Sequence, residues 1–472
     1  MNIEIIGVWE SQYEGLKKNR VTATLTPYYL AALLPSDVNV TVRDEQVRPV
    51  DYNIDVDLVA ITFLISNAPH AYEIADRFHK RGTPVIMGGF HASFLPEEDL
   101  EHADAVVIGE AEDVFPEVIE DLKHGSLKRI YKSTKLHPLK GLPVPRYDLI
   151  EKDFILNHPV QATRGCPFKC KFCSVVSLYP GLRVRPIDEV IRDITCFEGR
   201  NYLQNKMVVF MDNNLIANKR YAKELFRKML PLKKWWASQL SIDMAKDKEL
   251  MRLAAKSGCV SVYIGIESFS QESLKNIGKH QNKVSDYKNA IKTFHEYGIY
   301  VQGSLIIGFD EDTLESISKI PNIIQELGID IPYLHILTPF YGTELFDRLN
   351  REKRILTKDW SRYNFLNAVF RPKNMSVDEL HSSHLEIWKE MHSVSKAFGR
   401  TFKNLPFPIS RFSSFLWKFL DNGYFLSQNL MGKYPLVGES GKENICTTKS
   451  TEDVFTIGGL EKTLKSGFQK QL

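Results

Sequence analysis

The sequence contains no uninterrupted apolar run of about eighteen residues, so no segment reads as a transmembrane helix. It also lacks the basic flank and long apolar core of a signal peptide. Met1-Asn2-Ile3-Glu4 opens straight into a strand-like stretch, and the expected location is the cytoplasm. Charge of one sign is missing too: 61 Lys and Arg against 58 Asp and Glu leave +3, too little for the field of a nucleic-acid binder. Cysteine is scarce, with six in 472 residues, and Cys196, Cys259 and Cys446 stand singly, so there is no disulfide framework. No internal repeat or low-complexity tract appears. The first strand–helix turn, Gly7-Val8-Trp9-Glu10-Ser11-Gln12, lacks G-x-G-x-x-G, which removes support for a nicotinamide or flavin site.

What is present is alternation. Ile3 to Val8, Val38 to Val42, Leu58 to Thr62, Pro84 to Met87 and Ala105 to Ile108 are short apolar runs, with helical patterns over Tyr28 to Leu34, Ala68 to Arg81 and Val114 to Leu122. Fully apolar strands separated by helices indicate a parallel sheet covered on both faces, an α/β doubly wound unit with its ligand beyond the strands' C-terminal ends. A Pro-rich connector, Leu142-Pro143-Val144-Pro145, follows. A second series then begins: strands over Pro159 to Thr163, Met207 to Met211, Trp236 to Ile242, Ser261 to Ile266, Val301 to Ile307 and Tyr333 to Leu337, with helical patterns over 219–229, 248–255 and 314–327. Six β-α steps are too few for a closed eight-stranded barrel and suffice for an open one. The expected organisation is a first domain over 1–135, a linker over 136–155, a partial (β/α)6 barrel over 156–350 and a mainly helical region over 351–472.

Directly after the barrel's first apolar run stands Arg164-Gly165-Cys166-Pro167-Phe168-Lys169-Cys170-Lys171-Phe172-Cys173. A tetrahedral zinc site needs four ligands, usually as two separated pairs, and no second pair exists. Three thiolates from one loop suit a [4Fe–4S] cluster whose fourth iron stays open; an incidental cysteine cluster or partial metal knuckle is the plainer alternative. The C-x₃-C-x₂-C spacing, with an aromatic before the last cysteine, resembles the signature of radical S-adenosylmethionine (SAM) enzymes. The resemblance implies that Cys166, Cys170 and Cys173 hold the cluster. It further implies that SAM chelates the open iron, accepts one electron and breaks into methionine and a 5′-deoxyadenosyl radical.

Later strand ends then become candidate SAM contacts. Phe210-Met211-Asp212-Asn213-Asn214 stands where the family often has Gly-Gly-Glu, so Asp212 or Asn213 is expected at the methionine ammonium. Ser241 ends the third strand, and Glu267, in Gly265-Ile266-Glu267-Ser268, is expected at a ribose hydroxyl or the ammonium. Gly308 resembles the family's strand glycine beside the adenine, although a tight turn explains it equally well.

Two stretches of the first unit, Met87-Gly88-Gly89-Phe90-His91 and Val107-Ile108-Gly109-Glu110, closely resemble the cobalamin-binding domain that precedes the barrel in one large class of radical SAM enzymes. Gly88, Gly89, Gly109 and Glu110 are expected to approach the corrin, and His91 to line the pocket or form a hydrogen bond, with a structural histidine as the plainer alternative. No His has an Asp two residues before it, so Asp-x-His-x-x-Gly is absent. The resemblance then implies cobalamin without a protein ligand on cobalt.

Phe412, Phe415, Leu416, Phe419 and Leu420 recur at helical spacing beside Trp417 and Lys418, the pattern of an amphipathic helix. Packing on the barrel is one reading, and docking to a bilayer surface at the inner membrane face is the other. The whole arrangement resembles the cobalamin-type radical SAM proteins that include hopanoid C-methylases. That implies methylation of an unactivated carbon in a small-molecule or lipid substrate, with an electron donor such as flavodoxin or ferredoxin. A radical oxidoreductase or cyclase without methyl transfer, and a non-enzymatic sensor, are the competing classes.

Overall fold

The computed structural model describes residues 1–9, 22–402, 412–432 and 434. Its first sheet has six strands: β1 (Asn2–Gly7), β2 (Asn39–Asp44), β3 (Leu58–Phe63), β4 (Val85–Gly89), β5 (Ala105–Ile108) and β6 (Ile130–Lys132). All are parallel, in the order β2-β1-β3-β4-β5-β6. Alternate residues feed opposite cores: Val59 and Ile61 pack with Ile74 and Phe78 on one face, while Leu58 and Ala60 pack with Val118 and Ile119 on the other. Burial of both faces explains the near-absence of polar residues in β3 and β5. The order reverses about β1, which places a crevice at the C-terminal ends of β1 and β3. β6 has no counterpart among the expected strands, because only its central Tyr131 is buried and no apolar run marks it.

The second sheet is parallel, in the order β14-β13-β12-β11-β10-β7, with β7 (Pro159–Val160) and β14 (Ile331–Ile336) at its open edges. Between them lie β10 (Met207–Phe210), β11 (Trp235–Gln239), β12 (Cys259–Glu267) and β13 (Tyr300–Ile307). The strand expected over Pro159 to Thr163 is in fact two. After Val160 the chain leaves the sheet, and β8 (Thr163–Cys166) pairs antiparallel with β9 (Gly181–Val184) as a separate hairpin. The helix expected over 314–327 breaks at Lys319, just ahead of Pro321, which has no N–H to continue the ladder.

The chain beyond the barrel reaches back to the first sheet. Trp360, Tyr363 and Val369 are buried in the core beneath β3 and β4, and Trp360 Nε1 donates to Glu98 Oε1 at 2.7 Å. Helices Val377–Met391, Val394–Phe402 and Phe412–Leu430 complete the described chain. The last helix lies on the barrel, and among the described residues its closest fastenings are polar. Lys418, 5 % exposed, pairs with Asp330 at 2.6 Å, Asn422 Nδ2 donates to the Asp330 carbonyl at 3.2 Å, and Tyr300 donates its hydroxyl proton to Asp421 at 3.1 Å. Leu420 and Phe425 add apolar packing, whereas Phe419 is 47 % exposed. The side chains of Phe412, Phe415 and Leu416 lie outside the described residues.

Burial alone would raise the Asp330 carboxyl, yet the charges of His295 and Lys418 hold it below its ordinary value. Its contribution is therefore present above the ordinary carboxylate range and is lost only in strong acid. Removing one partner of a buried pair strands the other charge. Lys418→Ala is expected to cost about 3 kcal/mol in denaturant unfolding, and Phe419→Ala within about 0.5 kcal/mol. The reverse ranking would mean that the apolar stripe holds the helix.

Candidate functional site

Cys166 ends β8, and Cys170 and Cys173 sit in the connection from there to β9. Gly165 makes this connection possible: at φ +83° a Cβ there would stand 2.2 Å from the Gly181 carbonyl oxygen. Beneath the hairpin lies Asp212, at the end of β10 and fully buried. Its carboxylate accepts the Ala162 N–H at 3.2 Å, the Thr163 N–H, and the Thr163 hydroxyl at 2.6 Å. Burial still outweighs these bonds and pushes Asp212 up to about 6. Asp212 thus anchors the cysteine loop; of the two residues expected at a ligand's ammonium, Asn213 and not Asp212 lines the cavity that the cysteines ring. Asn213 Oδ1 accepts the Gly165 N–H at 3.2 Å, and Asn214 exchanges hydrogen bonds with Ser241 at 3.2 and 3.3 Å.

Cys166, Cys170 and Cys173 ring a cavity of about 190 Å³ whose other walls include Asn213, Ser241, Tyr263, Glu267 and Lys279. Among the described residues no three His, Cys, Asp or Glu side chains converge tightly enough for one metal ion. The thiols surround a space instead, which fits a group larger than a single ion. Burial pushes all three thiols up, Cys173 to about 11, so loading such a group must displace thiol protons. Gln281 Nε2 points at Cys170 Sγ from 3.9 Å.

Glu267 faces the same cavity because the register of β12 against β13 shifts between Gly265 and Glu267, and Glu267 itself takes φ +63°. Its carboxylate pairs with Lys279 at 2.5 Å. Burial would lower Lys279, but Glu267 and Cys170 raise it. A Cβ on Gly265 would come 2.2 Å from Glu267 Oε1, so that glycine leaves room for the pair. Sequence reading missed Lys279 and Gln281, which lie in a loop without a motif. Gly308 is elsewhere: at φ +99° its N–H bonds to Asp312 at 2.9 Å, and a Cβ there would meet Leu380. The turn reading of Gly308 is the one the structure shows; it lines neither cavity.

A second cavity, about 370 Å³, lies between the two sheets and shares Asn213 with the first. Gly88, Gly89 and Gly109 form its floor with Ala60, Ile86 and Met87, while Gln161, Arg164 and Tyr179 close it from the hairpin side. Gly89 has φ +117°, and a Cβ there would stand 2.5 Å from the Phe63 carbonyl oxygen. Above Gly109, at φ +83°, there is open space that a side chain would fill. A glycine floor flanked by apolar residues fits a broad, flat organic group.

His91 is turned away from this floor. It is fully buried among Phe63 and Trp360, with Nε2 2.8 Å from the Tyr72 hydroxyl: of its expected roles the hydrogen bond is present, and the residue does not line the cavity. Glu110 does line the cavity, but its carboxylate is engaged. It accepts from Arg183 at 2.6 and 2.8 Å, from Arg164 Nη1 at 2.9 Å and from the His137 N–H at 2.7 Å. Arg164 Nη1 also meets Glu112 at 2.7 Å, and Tyr29 donates to Glu112 at 3.1 Å. Two carboxylates of the first sheet thus hold two guanidiniums of the cysteine hairpin.

Burial would raise Glu110, yet Arg183 and Arg164 draw it down to about 2. Its stabilisation is complete above about pH 5 and disappears as the pH falls toward 2. Glu110→Gln keeps the shape but leaves the Arg183 guanidinium without its carboxylate and Arg164 with Glu112 alone, so a loss of about 3 kcal/mol is expected at neutral pH. Equal stability of the two proteins at pH 7, read by denaturant titration, would contradict the assignment.

Comparison with known proteins agrees with both cavities. The Radical SAM superfamily profile matches residues 160–322, and the B12 binding domain profile matches residues 27–119. Bacteriochlorophyllide d C-12(1)-methyltransferase of Chlorobaculum tepidum is 30% identical over 389 residues, covering 80% of this chain and 85% of that one. Hopanoid C-2 methylase of Rhodopseudomonas palustris is 27% identical over 348 residues, 70% of this chain and 64% of its own. Anaerobic magnesium-protoporphyrin IX monomethyl ester cyclase of Cereibacter sphaeroides is 25% identical over 479 residues, 94% and 76% of the two chains. The radical SAM methyltransferase TsrM of Kitasatospora setae, solved with cobalamin and a [4Fe–4S] cluster, shares the fold at a TM-score of 0.63 and 14% identity, over 82% of this chain and 88% of that one.

Proposed function

The chain belongs to the radical SAM enzymes that carry a B12-binding domain, and we propose that it transfers a methyl group to an unactivated carbon of a small-molecule or lipid substrate. Its cofactors are a [4Fe–4S] cluster, SAM and cobalamin. The observation that carries methylation is the wall the two cavities share: Asn213 borders the cysteine cavity and the glycine-floored cavity together. When bound, the cofactors supply the methyl group and the hydrogen abstraction; the protein supplies position and a dry site.

In this reading Cys166, Cys170 and Cys173 hold the cluster. Glu267, Lys279, Asn213 and Ser241 receive SAM, and Gly88, Gly89, Gly109 and the backbone beside Glu110 support the corrin. Phe168, Phe172, Val175 and Val176 line the cysteine cavity and limit water. The proposed division is 1–135 for cobalamin, 136–155 as linker, 156–350 for the cluster and SAM, and 351–472 as a helical cover; β6 ending at Lys132 and β7 starting at Pro159 support it. The cyclase relative favours a second reading, in which hydrogen abstraction proceeds without methyl transfer. Product mass separates the two: a gain of one methylene or a loss of hydrogens.

After anaerobic reconstitution, the wild type is expected to show cluster absorption and about one equivalent of corrin. Cys170→Ala should lose the cluster and 5′-deoxyadenosine formation while keeping the corrin, and Cys196→Ala and Cys259→Ala should keep both. Normal iron content in Cys170→Ala would sink the ligand assignment.

Flavodoxin or ferredoxin is the proposed electron donor and the cytoplasm the proposed location. No helix among the described residues is long and apolar enough to cross a membrane. Surface contact with a bilayer is supported by exposed Phe398, Phe402 and Phe419, within a stretch, 391–420, that has no acidic residue; of its basic residues, Arg400 and Lys418 are buried. Wild type is expected to co-sediment with anionic liposomes at low salt, and Phe398→Glu/Phe419→Glu to remain in the supernatant. Equal sedimentation of both would refute the contact.

A further inference from the structure

Reductive cleavage of SAM takes one electron from outside the chain, so some surface must lie against the cysteine loop through which it enters. The loop's outer side is exposed at Pro167, Lys169 and Lys171. A second segment packs against it: the Lys171 N–H donates to the Ile277 carbonyl at 2.9 Å. Gly278, at φ +74°, lies so close that a Cβ would stand 2.9 Å from the Lys169 carbonyl oxygen. Three residues further on, Gln281 reaches Cys170 Sγ. The two segments therefore form one continuous surface over Cys170.

That surface is cationic, although the whole chain carries only +3. Residues 165–182 contain Lys169 and Lys171 and no acidic residue; residues 273–285 contain Lys275, Lys279 and Lys283, also with none. Lys279 is spent inward on Glu267, whereas Lys169, Lys275 and Lys283 are exposed. The nearest carboxylates weaken this charge only in part. Glu344 pairs with Lys171 at 3.2 Å, Glu311 accepts from Asn276, and Glu272 is exposed.

We propose that Lys169, Lys275 and Lys283 form a docking collar for an acidic one-electron carrier protein, which delivers its electron to the cluster beside Cys170. The proposal rests on the reading of the three cysteines as cluster ligands. In the step the carrier is oxidised by one electron and the cluster is reduced by one, with no proton required. Opposite charges at the rim of an encounter surface raise the association rate and make it fall with ionic strength, while adding little to the strength of the final contact.

The test uses the full-length reconstituted protein and follows cluster reduction by stopped flow with two donors. One is reduced flavodoxin, an acidic protein; the other is photoreduced 5-deazariboflavin, a small uncharged donor. At low salt the Lys169→Glu/Lys275→Glu/Lys283→Glu variant should react with flavodoxin at least about tenfold more slowly than wild type and lose the salt dependence. Its rate with deazariboflavin and its iron content should not change. The milder Lys169→Gln/Lys275→Gln/Lys283→Gln variant should fall between, which guards against a folding defect in the charge-reversed protein. Unchanged flavodoxin rates and salt slopes in both variants would overturn the collar and leave the cluster assignment standing. Failure of flavodoxin alone to reduce the wild-type protein would also overturn the collar, whereas failure of both donors would overturn the cluster reading and the collar with it.

Discussion

Arg164 lies two residues ahead of the first cysteine, and its buried guanidinium is held by two carboxylates that belong to the other sheet. With Arg183 on the neighbouring strand it makes a charge-balanced group: two arginines, Glu110 and Glu112. Taking such a group out of water is costly, and a well-packed apolar contact often does as well for stability alone. What an apolar contact does not supply is direction. Guanidinium forks donate to carboxylates only in particular orientations, so the glycine floor of the first sheet is set at a defined angle to the cysteine hairpin. The two cavities can share a wall at Asn213 only while that angle holds.

A second layer of constraint acts within the barrel. Asp212 has the burial of a core residue and the hydrogen bonds of a loop anchor, since every contact it makes goes to the chain just ahead of Arg164. On the opposite wall, Glu267 is held at positive φ where the β12 ladder slips. Strained backbone of this kind persists where surrounding structure over-determines it, and here the surrounding structure is the Lys279 ion pair and the absence of a Cβ at Gly265. The cysteine cavity is therefore shaped by polar contacts that oppose local propensity.

This difference explains what could be read from the residues alone. β3 and β5 were legible because a strand buried on both faces can afford no polar residue, and the cysteine loop because its spacing is itself chemical information. β6 was not legible, being a three-residue edge strand with one buried side chain. The direction in which His91 and Gly308 face was hidden for another reason. Both stand at strand ends whose orientation is decided by distant residues, Trp360 for the one and Leu380 for the other. Lys279 and Lys418 share that character: a lysine in a loop or on a helix reads as solvated until the carboxylate it meets, Glu267 or Asp330, is placed by the fold. The last helix shows the same limit: its apolar spacing pointed to packing on the barrel, where it lies, but not to the buried polar pairs that join it there.

Arg164 and Glu110 tie the cysteine hairpin to the glycine-floored sheet, and a tie of this kind should fix the spacing of the two cavities. Its most direct test is a pulsed electron paramagnetic resonance distance measurement between Co(II) in the bound corrin and the reduced cluster. One narrow distance is expected in the wild type and a broadened distribution in Glu110→Gln with both cofactors still bound. A broad distribution in the wild-type protein, or an equally narrow one in the variant, would contradict it.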